Sequence, residues 1–268
     1  MGKQQIRRVV TRLRRLWTLT RDSVKRRIIR VTNYLNRGLP LPPDKLIYLV
    51  LGSEDISWFL RSGELGVKSM QEILENKGLS LDEFEAILDF GCGVGRVMRH
   101  LHHINGPCLF GTDYNQDLIA WCHKNLKFAD FRTNPLVGPL DYQDERFDFI
   151  YALSVFTHLR EPHQDSWIKE LCRVLNPGGY LFITVHGKEF YLPQILVEDQ
   201  ERFLQGELVV HGGDKEGSNI CTVFHPEEYV RRKMAKDLII VDFVPQGAAG
   251  NPRQGVYLFQ NPALSFAR

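Results

Sequence analysis

The stretch Ala86-Ile87-Leu88-Asp89-Phe90-Gly91-Cys92-Gly93-Val94-Gly95 decides how this chain folds. Its first half is a short, mostly apolar run of strand length, and its second half carries glycine at alternate positions. Glycine adopts backbone angles closed to other residues and lets a ligand approach the main chain closely. The pattern predicts a buried strand over 86–90, a tight turn, and a helix over 94–103 whose first N–H groups face a ligand. Arg96 stands where a G-x-G-x-x-G dinucleotide loop needs its third glycine, and no Gly-Lys-Ser/Thr of a phosphate loop follows. Asp89 adds negative charge, which suits an amine-bearing or cationic ligand better than a pyrophosphate.

Outward from this stretch the chain alternates apolar strands with amphipathic helices, the signature of a parallel α/β sheet. Cys108-Leu109-Phe110-Gly111-Thr112 reads as a second strand ending at Asp113, where a carboxylate can accept bonds from ribose hydroxyls while Tyr114 covers a flat base. Phe147-Asp148-Phe149-Ile150-Tyr151-Ala152 reads as a fourth strand running into Leu153 and Ser154. Trp167, Ile168, Leu171, Val174 and Leu175 form a helical stripe that Asn176-Pro177-Gly178-Gly179 stops before a strand from Tyr180 to Val185.

These motifs, in this order, resemble class I S-adenosylmethionine (SAM)-dependent methyltransferases over residues 83–188, with the closing strands reaching to about 260. The resemblance implies a Rossmann-like, mostly parallel seven-stranded sheet with an antiparallel last strand and SAM across the ends of the first, second and fourth strands. It implies that Gly91, Cys92, Gly93 and Gly95 form the turn facing the methionine part, that Asp89 reaches its amino group, Asp113 the ribose and Tyr114 the adenine. Asn134 is the best match for an adenine contact at the third strand's tip, and Leu153 and Ser154 border the methionine and the methyl group. The segment Ala152-Leu153-Ser154-Val155 lacks the Pro-Pro-aromatic motif of planar-amine methyltransferases, and no Pro-Cys pair for cytosine is present. The likeness is therefore to enzymes acting on small molecules, glycans and lipids, and DNA is not an expected partner.

Length and composition agree with one sizeable domain carrying appendages: 268 residues, 43% hydrophobic and 25% charged. The net charge of +2 hides an asymmetry, because residues 1–38 hold twelve Lys/Arg and one acid, leaving 22 bases and 31 acids for the remainder. In that head Ile6, Val9, Val10, Leu13, Leu16, Trp17, Val24, Ile28, Val31 and Leu35 follow helical spacing with arginines on the other face. A basic amphipathic helix of this kind suits an anionic membrane surface; packing on the protein itself, nucleic-acid phosphates or targeting are alternatives. Five widely spaced cysteines without a C-x-x-C pair fit reduced thiols, and no apolar run reaches membrane-spanning length. The expected location is cytoplasmic, with peripheral membrane attachment.

The expected organisation is a basic segment over 1–38, an N-terminal cap over 39–82, and the catalytic domain over 83–268 with a substrate cap inserted at 187–237. Within the insertion, 207–211 and 220–224 read as a hairpin, followed by a helix capped near His225 and Pro226. An alcohol acceptor needs a base, and His158 and His186 are the candidates because both follow strand ends on the donor side. Glu189, Tyr191, His211 and His225 are further candidates in the cap. His100, His102 and His103 read as the end of a helix, where imidazole suits the dipole, and no metal is expected. The function expected is O-methylation of a saccharide, glycolipid or other small metabolite; alternatives are RNA or protein methylation through the basic head, or SAM binding without catalysis.

Overall fold

The computed structural model describes residues 22–30, 38–191, 196–251 and 254–263. The chain divides into two compact units, Met1–Pro43 and Asp44–Arg268. In the first, residues 22–30 are helical, and Arg30 Nη1 donates to the carbonyls of Leu41 at 3.1 Å and Pro42 at 2.7 Å. Most of the expected basic helix, including Trp17 and the arginines before Asp22, lies outside the described residues. Among the described residues no helix is long and apolar enough to cross a membrane.

The second unit opens with α1 (Asp44–Leu51) and α2 (Ile56–Glu75), and the sheet begins at β1 (Ala86–Phe90). There follow β2 (Cys108–Asp113), α3 (Gln116–Asn125), β3 (Asp130–Thr133), β4 (Phe147–Ala152), α4 (Glu161–Val174) and β5 (Leu175–Val185). The insertion holds α5 (Lys188–Tyr191), α6 (Val197–Leu204), β6 (Val209–His211), β7 (Thr222–Phe224) and α7 (Glu227–Tyr229), and β8 (Ile239–Val244) and β9 (Gly255–Gln260) close the sheet. The seven strands lie in the order β3-β2-β1-β4-β5-β9-β8, with β9 antiparallel to both neighbours and the first five parallel, as expected.

β1 is buried along its whole length, which is why its sequence runs apolar instead of alternating. Leu88, Ile150, Ile183 and Phe259 join Trp167, Ile168 and Leu171 of α4 in one core cluster. α2 is capped by Asp55, whose side chain accepts from Trp58 N at 3.0 Å. It approaches the chain after β1 through small residues: a Cβ on Gly63 would stand 2.0 Å from the Arg96 carbonyl oxygen.

Two expectations are corrected. The helix expected over 94–103 is instead a run of turns with a single 3-10 turn at Met98–His100. Gly91, Gly93 and Gly95 all hold positive φ, so the backbone winds left-handed at alternate residues and cannot enter a regular helix from the turn. The strand expected from Tyr180 begins at Leu175, directly after α4, and Asn176-Pro177-Gly178-Gly179 forms a register shift within its pairing to β4. The inserted hairpin is present but shorter than expected, with Val209 opposite Phe224 and His211 opposite Thr222.

Candidate functional site

A cavity of about 390 Å³ opens at the carboxyl ends of β1, β2, β4 and β5, a volume in the range of small-molecule sites. Its wall includes Asp89, Gly91, Cys92 and Gly93 after β1, Asp113 and Tyr114 after β2, and Asn134 after β3. Leu153, Ser154 and His158 after β4 and His186 after β5 complete the set of expected residues that meet there. Gly95 does not line the cavity; its positive φ serves the turn, and a Cβ there would meet Leu126 Cδ1 at 2.6 Å.

The glycine turn is a cradle that a larger residue would fill. A Cβ on Gly91 would lie 2.4 Å from Val155 Cγ2, and one on Gly93 2.8 Å from Val50 Cγ2. Asp113 ties this turn to β2: Gly93 N donates to its Oδ2 at 2.9 Å and Asn115 N to its Oδ1 at 2.8 Å. Burial pushes the Asp113 carboxyl up, against the pull of those two N–H groups. Asp89 is buried with its Oδ2 lacking a hydrogen-bond partner, and burial pushes it up to about 7, the Tyr151 hydroxyl and Arg96 guanidinium pulling the other way. A partnerless carboxylate oxygen beside a glycine cradle matches the ammonium group and close-packed arm of an amino acid. Asn134 is buried with its Oδ1 lacking a partner and its Nδ2 on the Pro135 carbonyl.

The insertion crosses the cavity as a strap. Tyr114 Oη donates to Gly217 O at 2.8 Å, Gly217 N donates to His158 O at 2.9 Å, and Asn219 Nδ2 reaches Leu49 O at 3.0 Å. Glu216 anchors it by accepting from Arg160 N at 2.6 Å and Arg160 Nε at 2.8 Å.

β7 and the residue before it also orient both candidate bases. His158 Nδ1 lies 2.6 Å from Cys221 O and His186 Nδ1 3.2 Å from Val223 O. A carbonyl accepts only, so each ring carries its proton on Nδ1. Burial lowers the pKa of His158, and burial together with the neighbouring His158 lowers that of His186 to about 3. The two rings differ at Nε2: in His186 it lies 3.1 Å from Gln254 Nε2. His225 is buried against Gln164, His211 pairs with Asp199, and neither these nor Glu189 lines the cavity; the side chain of Tyr191 lies outside the described residues. Among the described residues no cluster of ligands could hold a metal ion.

Three structural contributors escaped the sequence reading. Val50, Asn219 and Gln254 come from α1, the strap and the turn before β9, and none sits in a motif; only the topology brings them to the cavity.

The fold and cavity define a Rossmann-like domain with a cavity at its strand ends, the place where such sheets take ligands. Residues 87–179 match the family model described as "Methyltransferase domain". The chain is 26% identical over 126 residues to the methyltransferase GfsG of Streptomyces halstedii, an alignment covering 45% of this chain and 44% of that one. It is 28% identical over 135 residues to a fatty-acid O-methyltransferase of Mycolicibacterium smegmatis, covering 50% and 48% of the two chains. Thus the chain spans less than half the length of these curated relatives. A SAM-dependent methyltransferase structure from Methanosarcina mazei superposes with a TM-score of 0.53 at 24% identity, covering 71% of this chain and 97% of that one. One from Mesorhizobium loti superposes with a TM-score of 0.54 at 14% identity, covering 72% and 97%. Residues 87–179 thus match a methyltransferase domain, in a fold shared with SAM-dependent methyltransferase structures.

Proposed function

We propose that this protein is a SAM-dependent O-methyltransferase whose acceptor is an uncharged, hydroxyl-bearing small molecule of the saccharide, glycolipid or related metabolite type. The observation that carries this reading is the tautomer of His158. With Nδ1–H spent on Cys221 O, the ring turns an unprotonated Nε2 toward its remaining surroundings at the wall of the cavity. Apart from the two imidazoles, the acidic and basic side chains on that wall among the described residues are Asp89, Arg96 and Asp113, beside the glycine turn, which leaves Trp58, Leu49, Leu51 and Phe190 for the acceptor. Such walls favour an apolar or neutral acceptor body over a phosphorylated one.

Bound SAM supplies a methyl group already activated on a sulfonium, so that an oxygen nucleophile converts SAM to S-adenosylhomocysteine. Gly91 and Gly93 would cradle its amino-acid arm, Asp89 would accept from its ammonium, Asp113 from the ribose, and Tyr114 and Asn134 would border the base. Leu153 and Ser154 flank the arm on the β4 side. The strap excludes water and holds the acceptor, whose alignment is worth up to about 7–11 kcal/mol. His158 takes the hydroxyl proton at Nε2; His186, whose Nε2 already accepts from Gln254, stays neutral. The basic N-terminal segment brings the enzyme to an anionic membrane surface on the cytoplasmic side, which supports a lipid-linked acceptor.

Labelled SAM offered to neutral hydroxylated lipids and glycans, their phosphorylated counterparts, RNA and protein tests the reading. Transfer to a hydroxyl of the neutral compounds is expected. Transfer confined to RNA or protein overturns the acceptor class, and SAM binding without transfer to any class overturns the enzymatic reading.

A further inference from the structure

Beyond β4 the chain makes its sharpest departure from strand geometry at Ser154, a non-glycine residue with φ of 62°. A β-hydroxyl residue in the left-handed region is sparsely populated and persists where surroundings hold it. Here they do so through side chains. Ser154 N donates to Thr184 Oγ1 at 2.7 Å, and Thr184 Oγ1 donates to Gln254 Oε1 at 2.7 Å. Gln254 Nε2 returns to Ser154 Oγ at 2.9 Å, closing a ring of three side chains from β5, the turn before β9 and the β4 tip. Thr157 Oγ1 locks the same turn by donating to Ser154 O at 2.9 Å.

The orientation of Gln254 follows from chemistry. Val223 O demands a proton on His186 Nδ1, so Nε2 of the neutral ring is an acceptor and the group 3.1 Å from it must be a donor. That places the amide nitrogen of Gln254 toward His186 and its oxygen toward Thr184, as observed. Both amide hydrogens are then used, one on Ser154 and one on His186, and Gln254 is buried with no donor to spare.

We propose that Gln254 is a positioning residue: it holds the Leu153–Ser154 turn against the amino-acid arm of SAM and keeps His186 as a neutral, non-reacting imidazole, leaving His158 as the only base of the pair. The proposal rests on the assignment of SAM to this cavity. Its force is that one neutral amide performs both tasks. A carboxylate in its place would accept where the amide donates, drawing a proton onto His186, and an aliphatic side chain would release Ser154.

Calorimetric titration of the full chain compares S-adenosylhomocysteine, which carries the amino-acid arm, with 5′-methylthioadenosine, which lacks it. In Gln254→Leu the first should weaken about tenfold or more and the second less than about threefold, the loss expected for a hydrogen-bonded support under one end of the ligand. Equal losses for both ligands, or none for either, overturn the positioning role while leaving the cofactor reading intact. A wild-type chain that binds neither ligand overturns the cofactor reading itself, before any variant is made. Gln254→Glu supplies the second measurement, since it preserves shape. Imidazole nitrogen shifts by NMR should show His186 neutral from about pH 5 to 8 in the wild type and taking a second ring proton in that range in the variant. An unchanged His186 titration overturns the tautomer lock.

Discussion

The Cys221 carbonyl and the His158 ring meet at 2.6 Å, and that one bond decides which face of the imidazole is chemically free. It joins the inserted hairpin to the turn after β4, so an imidazole on the cavity wall is oriented by a segment outside the sheet. A second carbonyl two residues on, at Val223, orients His186 in the same manner, while Gln254 caps the nitrogen that His158 leaves uncapped.

Replacing His158 by Gln should therefore lower turnover by about 10²–10⁴-fold, the range for losing a general base. S-adenosylhomocysteine affinity should stay within about threefold, because the methyl donor does not need the base. Burial lowers the His158 pKa, so the wild-type rate should hold below the ordinary histidine value of about 6.5 before it falls, and the variant should lack that acid limb. A pH–rate profile of both proteins checks this.

Asp89 offers a prediction with opposite signs for stability and binding. Its carboxyl is raised to about 7, so the folded state loses stability as pH climbs from about 4 to 7, at up to about 1.4 kcal/mol per unit. Asp89→Asn should accordingly raise the melting temperature at pH 8 and leave it unchanged near pH 3. S-adenosylhomocysteine should bind the wild type more tightly as pH rises through 7, while the Asn variant binds weakly at every pH. Calorimetry across that range reads both effects.

The glycine turn separates space from backbone strain. Gly91→Ala meets Val155 at 2.4 Å and Gly93→Ala meets Val50 at 2.8 Å, whereas Gly178, also at positive φ, has nothing within 4 Å of a new Cβ. All three substitutions should cost stability of about 1 kcal/mol or more from the left-handed backbone. Only the first two should also abolish cofactor binding. Asp113→Ala should weaken binding by about tenfold or more, through loss of the anchor on Gly93 N as well as of the ribose contact. Unfolding curves beside ligand titrations distinguish the classes.

Acid should unfold this protein through its histidines. His186 and His225 are both held near 3 by burial, so each favours the unfolded state as pH drops below about 6.5, with a slope of about 1.4 kcal/mol per unit. Asp89 works against one of them over the same interval, leaving a net loss. His225→Gln should flatten the fall in melting temperature between about pH 6 and 4.

Residues 1–38 should behave as a separable membrane-binding element. Flotation with vesicles containing anionic lipid should carry the full chain and leave a chain lacking that segment behind, with attachment weakened by salt because each Lys/Arg contributes about 1 kcal/mol. Equal flotation of both proteins would contradict the membrane assignment.

Much of this architecture is legible in the sequence because β1, β2, β4 and β5 are buried strands and bury their apolar runs in order. Asp89, Asp113 and His158 are readable for the same reason: each sits at or just beyond a strand end. The segment past the glycine turn resists reading by periodicity, since Val94, Val97 and Leu101 are buried with helical spacing on a backbone that is mostly turns. The start of α2 is hidden because Gly63 and Gly66 read as breaks, while in the fold they are contact points. Gln254 and Asn219 act through partners 100 and 170 residues away, on Ser154 and Leu49, a relation no local pattern encodes.

The carbonyls of Cys221 and Val223 carry a lesson for redesign. A chimera that grafts a foreign insertion between β5 and β8 to change the acceptor would also reset the proton inventory of both imidazoles. Pocket shape and imidazole tautomer are inherited here as one piece, so a transplanted hairpin must bring two acceptors at alternate residues to keep both rings protonated where they are now.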